Sequence, residues 1–493
     1  MTRIERDSLG ELAIPDDAYW GINTARAVEN FRISRREIQV YPDLLIAYAQ
    51  VKQAAARANR DIGVLDGERA DLIDRAAQEI VDGRLHDQFV VGVIQGGAGT
   101  STNMNVNEVI ANRGLELAGR RKGDYAYLSP NDHVNRSQST NDTYPSAVKL
   151  ALAYSLRRLA EELGLLRNAF AAKGREFRDV LKIGRTQLQD AVPMTLGQEF
   201  WGFSTTVGED IDRIEEARGL LNELNLGATA IGTGITAPPG YAATVIAHLR
   251  QITGLDELRI AKDLIEATSD TGVFMTASSA LKRSAMKLSK ICNDLRLLSS
   301  GPQMGLGEIN LPARQAGSSI MPGKVNPVIP EAVNQVAFVI AGSDVTVSMA
   351  CEAGQLQLNA FEPVMAHVLL QNSTWLRRAV RTLRINCVDG ITANAGRLAA
   401  QAEGSVGLVT ALTPLIGYAH ASRLAKRALR EGRSIRELVL GEGLMSAGDL
   451  DLALDPATLS GGLFDTGPIP VLTPEAIADL EAELDAADRN DWA

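Results

Sequence analysis

The chain has 493 residues, of which 45% are hydrophobic and 5% aromatic, and its formal net charge at neutral pH is −10. Such a length predicts two or three domains, and the scarcity of aromatic residues favours helices over sheets. An acidic chain argues against nucleic acid as a partner, although a small anionic substrate needs only local positive charge. The first residues are charged, and no uncharged apolar run is long enough to cross a membrane, so we expect a cytoplasmic protein without a membrane partner.

The predicted elements change character twice along the chain. Residues 1–140 alternate helical stretches with loops rich in glycine and asparagine, which predicts a mixed helical N-terminal domain. Residues 141–395 contain very long helical patterns and predict a central bundle domain. Residues 396–493 have shorter, glycine-punctuated patterns, which predict a small C-terminal helical domain. Within it, Thr473 and Pro474 are a typical N-cap and first helical residue, and they predict an exposed acidic terminal helix.

Long helices are predicted in the central domain at 145–175, 195–223, 263–299 and 327–353. The helix at 263–299 carries small or apolar residues at alternating spacings of three and four, which is a heptad seam. The seam consists of Phe274, Ala277, Leu281, Ser284, Leu288, Ile291, Leu295 and Leu298. An elongated bundle of such helices has much lateral surface to bury, so we expect self-association, with a monomeric bundle as the alternative.

Cysteine and histidine patterns bear on disulfides and metals. Cys292, Cys351 and Cys387 lie far apart without a CxxC pair, which indicates buried thiols and neither a disulfide framework nor a zinc site. The five histidines form no HExxH motif. We therefore expect no catalytic metal in this protein.

Four segments concentrate small polar side chains beside glycine, at 97–108, 135–142, 184–199 and 317–331. Their hydroxyls, amides and one lysine are groups that hydrogen-bond a carboxylate. Taken singly, each segment is more typical of turns and helix caps. Four such segments in one helical protein favour a binding site for a small anion.

Known cofactor motifs do not fit these segments. Five residues, where a phosphate loop has four, separate Gly317 from Gly323, and Val325 stands where that loop has Ser or Thr. The segment at Gly97 has Thr102 in place of the third glycine of a dinucleotide fingerprint. No Ala-Ser-Gly tripeptide is present, so the self-made electrophilic ring of aromatic amino-acid ammonia-lyases cannot form. We therefore expect no organic cofactor.

The sequence GSSIMPGKVNP at 317–327 resembles the catalytic loop of the fumarase/aspartase superfamily, and the likeness covers nearly the whole chain. Within that superfamily the aspartase branch is most similar, through NLGATAIGTG at 225–234, GLGEINLP at 305–312 and QLQLNAFEPV at 355–364. The resemblance implies an all-α fold of three helical domains with a long central bundle. It also implies a homotetramer with a multi-helix core, in which each active site is shared between subunits.

The resemblance further implies the reaction and the residues that carry it. L-Aspartate would lose ammonia to give fumarate, without a cofactor, after abstraction of a Cβ proton through an enediolate intermediate. Ser318 matches the serine that abstracts this proton. Substrate-binding roles are implied for Thr100, Ser101, Ser139, Thr140, Asn141, Thr186, Gln187, Ser319, Lys324 and Asn326.

The implied roles divide these residues by the part of the substrate they contact. Thr100, Ser139, Thr140 and Ser319 match positions that hold the β-carboxylate. Thr186, Gln187, Lys324 and Asn326 match positions that hold the α-carboxylate. Thr100, Thr140 and Asn141 match positions around the amino group.

The chain also departs from the family pattern. Gln187 stands where fumarases have a histidine paired with the glutamate that matches Glu331, which counts against a hydratase. Ser129 replaces a histidine of a second anion site of fumarases, while Thr236 and Thr413 stand where asparagine is usual. Three alternatives remain: a fumarate hydratase on the same fold, a catalytically silent member with a structural use, and a lyase acting on a modified aspartate.

Overall fold

The computed structural model describes residues 1–459 and 473–490. The helices in this part of the chain are α1 (Ile22–Asn30), α2 (Pro42–Asp61), α3 (Gly67–Val81), α4 (Thr100–Leu117), α5 (Thr140–Glu176), α6 (Leu196–Leu220), α7 (Thr229–Gly232), α8 (Tyr241–Thr253), α9 (Leu264–Ser269), α10 (Gly272–Leu298), α11 (Val328–Glu352), α12 (Glu362–Asn386), α13 (Ala395–Gly404), α14 (Leu408–Ile416), α15 (Tyr418–Glu431), α16 (Ile435–Gly441), α17 (Ala447–Ala453), α18 (Pro456–Leu459) and α19 (Pro474–Asn490).

The strands in the described residues are short and form only two-stranded pieces. They are β1 (Thr2–Asp7) with β2 (Gly10–Pro15), β3 (Leu181–Thr186) with β4 (Gln189–Thr195), β5 (Glu223–Leu224) with β6 (Arg259–Ile260), and β7 (Ile309–Asn310) with β8 (Thr392–Ala393). The β5–β6 pair is parallel and the other three are antiparallel. The predicted all-α class is confirmed.

Five long helices, α5, α6, α10, α11 and α12, make up the central bundle. The helices predicted at 145–175, 195–223 and 327–353 correspond to α5, α6 and α11, and α5 begins five residues earlier than predicted. That earlier start follows from a capping box. The Ser139 hydroxyl oxygen accepts from the backbone N–H of Asn141, and the Asp142 carboxylate accepts from the backbone N–H of Ser139.

The single helix predicted at 263–299 is wrong, because the structure divides it into α9 and α10 at Asp270 and Thr271. Asp270 has an extended backbone, and its carboxylate accepts from the N–H of Gly272 at 3.0 Å, which supports a new helix start. The heptad seam from Phe274 to Leu298 lies wholly within α10, and every one of its side chains is buried. The seam therefore predicted the packing face correctly but could not reveal the break.

The two ends of the bundle are called the Ser139 end and the Glu176 end, after the N-cap and the last residue of α5. At the Ser139 end, the Asn225 side chain after α6 donates to the Asn141 carbonyl at 2.9 Å. Asn359, just before α12, donates to the Thr271 hydroxyl at 3.3 Å, so the starts of α10 and α12 lie close together. The start of α5 lies there too.

At the Glu176 end, the Lys173 ammonium donates to the Ile391 carbonyl beyond α12 at 2.8 Å. The Glu308 N–H donates to the carbonyl of Leu298, the last residue of α10. The β3–β4 hairpin and the segment leading into α11 belong to this end. Because α5 has 37 residues, the two ends are roughly 55 Å apart.

The C-terminal region has its own small core, formed by buried residues between Leu408 and Ala453. Thr473 caps α19 as predicted, since its hydroxyl accepts from the Ala476 N–H. The described side chains of this helix are mostly exposed or half-buried, as predicted, but Leu484 is fully buried against the rest of the chain. The boundaries at 140/141 and 395/396 stay predictions, and residues 460–472 and 491–493 of the predicted third domain lie outside the described residues.

The three cysteines are all free thiols. Cys292 and Cys387 are buried as predicted, whereas Cys351 is half-buried. Burial raises the pKa of all three thiols, which keeps them protonated and unreactive at neutral pH. Among the described residues, no three His, Cys, Asp or Glu side chains gather as a metal site would require.

Candidate active site

At the Ser139 end, the first turns of α4 and α5 meet. Gly99 precedes α4 with a φ of +88°, and a Cβ added there would lie 2.3 Å from the ring of Tyr144 in α5. Only glycine permits this approach. One turn into α4, the Asn103 amide donates to the Thr140 hydroxyl oxygen at 3.0 Å. Two helix N-termini thus converge, and the positive ends of their dipoles favour a bound carboxylate.

The structure therefore brings together five of the predicted site residues, which are Thr100, Ser101, Ser139, Thr140 and Asn141. The Thr100 hydroxyl donates to the Gly97 carbonyl at 2.7 Å, and its side chain is exposed beside the α4 N-terminus. Ser139 is the N-cap of α5, so the alternative interpretation of the 135–142 segment as a helix cap is also correct. A hydroxyl oxygen that accepts at a cap still has its own proton to donate to a substrate.

Asn141 is held by the loop that follows β5. Its amide donates to the Ala230 carbonyl at 2.6 Å, which fixes the direction of the side chain. The loop is anchored in turn by the Gly227 N–H, which donates to the buried Asp142 carboxylate at 2.9 Å. The backbone of Thr236, where asparagine is usual in the family, donates to the Thr229 hydroxyl at 3.4 Å. Because this bond uses only the backbone of residue 236, a threonine at this position still allows the loop to be held at the Ser139 end.

A buried polar cluster behind Thr140 escaped the sequence analysis. The Lys52 ammonium is fully buried and donates to the side-chain oxygens of Asn103, Asn135 and Gln138. Burial lowers the pKa of Lys52 to about 7 and raises the pKa of the neighbouring Asp142 to about 6. The asparagine-rich start of α4 was a signal for polar burial, but nothing in α2 marks Lys52 as interior.

At the Glu176 end, Thr186 and Gln187 lie at the exposed tip of the β3–β4 hairpin. Gln187 and Leu188 form the two-residue turn, with φ values of +55° and +62°. The hairpin is fixed by a buried ion cluster, in which Glu308 pairs with Lys182 at 2.7 Å and with Arg185, the residue before Thr186.

The second group at this end is the loop at 311–327, which carries Ser318, Ser319, Lys324 and Asn326. Ser318 is half-buried, and its hydroxyl oxygen accepts from the backbone N–H groups of Ile320 at 3.2 Å and Met321 at 3.0 Å. The loop closes on itself, because the Gly317 N–H donates to the Lys324 carbonyl at 2.8 Å and the Asn326 amide donates to the Gly317 carbonyl at 2.9 Å.

The predicted site residues thus form two groups at opposite ends of one chain. The group at the Ser139 end contains hydroxyls, an amide and two helix N-termini, whereas the group at the Glu176 end contains Ser318 and Lys324. Separation by the length of α5, roughly 55 Å, prevents both groups from contacting one small substrate within a single chain. Within a single chain, therefore, the predicted site residues do not form one site.

Comparisons with known proteins identify the family. Residues 10–342 match the family described as lyase, and residues 408–461 match the fumarase C C-terminus. The chain belongs to the fumarase/aspartase superfamily. The aspartate ammonia-lyases of Pseudomonas aeruginosa and Escherichia coli are 57% and 51% identical to it, over 93% and 91% of this chain and 97% and 94% of theirs.

Solved structures agree with this assignment. A structure described as fumarate lyase:delta crystallin from Brucella melitensis bound to cobalt is 56% identical, with a TM-score of 0.91 over 93% of this chain and 100% of that one. The class II fumarase of Schistosoma mansoni is 34% identical, with a TM-score of 0.87 over 94% of this chain and 100% of its own. The family resemblance noted from the motifs is confirmed.

Proposed function

We propose that this protein is an aspartate ammonia-lyase, which converts L-aspartate to fumarate and ammonia. The observation that carries the proposal is the identity of 51–57% to aspartate ammonia-lyases over 91–94% of the chain. Gln187 at the hairpin tip supports an ammonia-lyase over a hydratase, because the fumarase pattern has a histidine at this position.

Ser318 is proposed as the base. A serine hydroxyl is a weak base at its ordinary pKa, so its oxygen must be stabilised as an alkoxide. The N–H groups of Ile320 and Met321, both within 3.2 Å of this oxygen, supply that stabilisation. The oxygen takes the Cβ proton, and the electron pair of the broken bond moves into the β-carboxylate as an enediolate. That electron pair then forms the double bond as the Cα–N bond breaks and ammonia leaves.

The two groups of residues would divide the substrate between them. The enediolate carries two negative charges, which would be stabilised by the helix N-termini, by the hydroxyls of Ser139, Thr140 and Ser319, and by that of Thr100 once it turns from the Gly97 carbonyl. Lys324 supplies the fixed positive charge for the α-carboxylate, with hydrogen bonds from the remaining residues of its group, Thr186, Gln187 and Asn326.

The divided site requires self-association, and we propose a homotetramer with shared active sites. α11 supports this proposal, since Phe338, Val345 and Met349 expose large apolar side chains to solvent in the single chain. By length and composition α11 is apolar enough to cross a membrane, and only 33% of its most apolar stretch is buried within one chain. The helix therefore has a large apolar face without a partner in the single chain. Antiparallel packing of α11 and its neighbours against other copies would cover this face. It would also bring the Ser139 end of one copy to the Glu176 end of another.

The test of the function is a direct assay. The purified protein should form fumarate from L-aspartate, measured by fumarate absorbance, and should add ammonia to fumarate in reverse. Formation of malate from fumarate without turnover of L-aspartate would replace the proposal with a hydratase. A panel of modified aspartates in the same assay separates a lyase for L-aspartate from one for a derivative, and a tetramer without any turnover would indicate a silent member.

A further inference from the structure

The Lys52 cluster lies directly behind the substrate-binding face of the Ser139 end. Lys52 is on α2, its side chain is fully buried, and its ammonium has three N–H donors and no acceptor. Its acceptors are Asn103 Oδ1 at 2.8 Å, Gln138 Oε1 at 2.8 Å and Asn135 Oδ1 at 3.1 Å. Three donors therefore meet three amide oxygens, which satisfies the ammonium completely.

This arrangement fixes the direction of every amide in the cluster. Because a lysine only donates, the oxygen of each amide must point at Lys52 and the NH₂ group must point away. The Asn103 NH₂ group then faces α5 and donates to the Thr140 hydroxyl oxygen at 3.0 Å. The Gln138 NH₂ group instead donates to backbone carbonyls of Val134 and Arg136. Asn103 is thus the link between the buried ammonium and a predicted substrate-binding residue.

The direction of the Asn103 amide determines where the Thr140 hydroxyl can donate its proton. Since its oxygen accepts from Asn103, the hydroxyl cannot donate in that direction, and within the described part of the chain no acceptor takes this proton. The proton is left to donate on the open side of the helix terminus. An anionic substrate requires donors there, whereas an inward-pointing proton would present lone pairs to a carboxylate and repel it.

We propose that Lys52 is a positioning residue, which acts through Asn103 to hold the Thr140 hydroxyl as an outward hydrogen-bond donor to the substrate carboxylate. The inference deepens the proposed function and rests on it. A merely structural Lys52 would destabilise the core relative to an apolar residue, because a buried cation loses its hydration and its hydrogen-bond partners here are neutral amides. A fixed donor direction is what this lysine supplies and an apolar side chain of its size would not.

The sharpest variant is Asn103→Asp, which keeps the size of the side chain and its contact with Lys52 but replaces the NH₂ donor by an acceptor. Thr140 would then donate inward to the new carboxylate. We expect kcat/KM for L-aspartate to fall by about tenfold to a hundredfold, the scale of one lost charge-assisted hydrogen bond, in a tetramer that still forms. Lys52→Met should lower kcat/KM to a similar extent, because no ammonium would then hold the amide oxygens of the cluster toward position 52.

Lys149→Met is the matched control, because Lys149 is also buried, lies on α5 and donates to the Glu223 carbonyl away from Thr140. It should lower the melting temperature to an extent comparable with Lys52→Met while kcat/KM stays within about threefold of wild type. An equal loss of kcat/KM in Lys149→Met and Lys52→Met would overturn the inference, because it would show that any loss of a buried ammonium has this effect.

A double-mutant cycle separates positioning from general disruption. Thr140→Val removes the hydroxyl and keeps the branched shape, so adding Asn103→Asp to it should lower kcat/KM by less than about threefold. Additive losses would overturn the inference, as would a wild-type rate in Asn103→Asp alone, and both comparisons hold even if Lys52→Met fails to fold. A wild-type protein that forms no fumarate from L-aspartate would instead refute the proposed function. Failure of the positioning inference and failure of the proposed function are therefore distinguishable.

Discussion

The backbone N–H of Met321 donates to the hydroxyl oxygen of Ser318 at 3.0 Å, and that of Ile320 adds a second bond to the same atom. Both donors belong to the peptide backbone, so they neither titrate nor require a neighbouring charge. They stabilise an alkoxide more than a neutral hydroxyl, which makes the serine a stronger candidate for the base.

Replacing Ser318 by alanine should therefore abolish most turnover while the tetramer and substrate binding remain. Loss of a general base typically costs about 10²–10⁴-fold in rate. The loop should persist, because its closing bonds join Gly317 to Lys324 and Asn326 without using the serine hydroxyl. Steady-state kinetics and calorimetric binding of L-aspartate check this prediction.

Ser319→Ala is the informative comparison, since it removes an adjacent and exposed hydroxyl from the same loop. Its predicted role is to bind the β-carboxylate, so we expect a smaller loss of kcat than in Ser318→Ala. If Ser318→Ala retained a near-normal kcat, the base would have to be another residue.

Lys324→Ala should raise KM strongly and leave the melting temperature nearly unchanged. Lys324 is exposed on a loop rich in glycine and proline, where its side chain gains little from packing. A charge-assisted hydrogen bond contributes roughly 1.5–3 kcal/mol, so a tenfold to hundredfold rise in KM is the expected scale. Kinetics beside a melting curve measures both quantities.

Lys324→Arg should rescue the rise in KM only in part, because a planar guanidinium does not replace a compact ammonium at the same distance. A large drop in melting temperature with unchanged KM in the alanine variant would make Lys324 a structural residue. The assignment of the α-carboxylate pocket would then fall as well.

The sequence predicted the central helices and the motif-bearing residues well, for physical reasons that are local. Heptad spacing determines which face of α10 is buried, so the sequence alone predicts the buried seam from Phe274 to Leu298. The break at Asp270 was missed because Asp, Thr and Gly are unfavourable in a helix but, as single residues, do not always end one. Leu484 was missed because its burial depends on a partner surface more than 100 residues away.

For the candidate site too, local sequence patterns were predictive and contacts between distant segments were not. The residues of the polar motifs were recognised because glycine and hydroxyl residues cluster in the sequence. Lys52 was not, since it lies in an alanine-rich helix whose neighbours, Asn103, Asn135 and Gln138, come from distant segments. Interior polar networks of this kind depend on tertiary packing and have no local sequence pattern.

Glu362 predicts a pH dependence of stability. Its carboxyl is buried in the first turn of α12, and burial, only partly opposed by attraction to Lys149, raises its pKa from 4.5 to about 8. Between those values the folded protein keeps a proton that the unfolded chain has lost, so stability decreases as pH rises. The contribution is fully present below pH 4.5 and is lost by about pH 8, with a slope of up to about 1.4 kcal/mol per pH unit.

Glu362→Gln should remove this contribution, because the neutral amide has no proton to lose. The melting temperature of the variant relative to wild type should therefore increase between about pH 5 and pH 8. Taking the difference between the two proteins cancels the other titrating groups. A difference that is constant across this range would mean that Glu362 is ionised in the folded protein.

The separation of Ser318 from Thr140 leads to the final prediction, which concerns mixed oligomers. Thr140 lies at the start of α5, while the Ser318 loop lies at the Glu176 end, roughly 55 Å away. In a shared site these two residues come from different subunits. A protein with Ser318→Ala should be nearly inactive because it lacks the base, and a protein with Thr140→Val should lose about tenfold to a hundredfold in kcat/KM because it lacks one donor to the substrate.

Hybrid tetramers of these two variants should regain activity. If subunits mix at random in equal amounts, a site receives an intact Ser318 with a chance of one half and an intact Thr140 with an independent chance of one half, so roughly a quarter of sites are complete. The measurement is kcat after co-expression or after dissociation and reassembly of the mixture, with each variant treated alone as the control. Hybrids that form but stay inactive would place both residues in a site built from one chain, and an active monomer in light scattering would refute the shared site altogether.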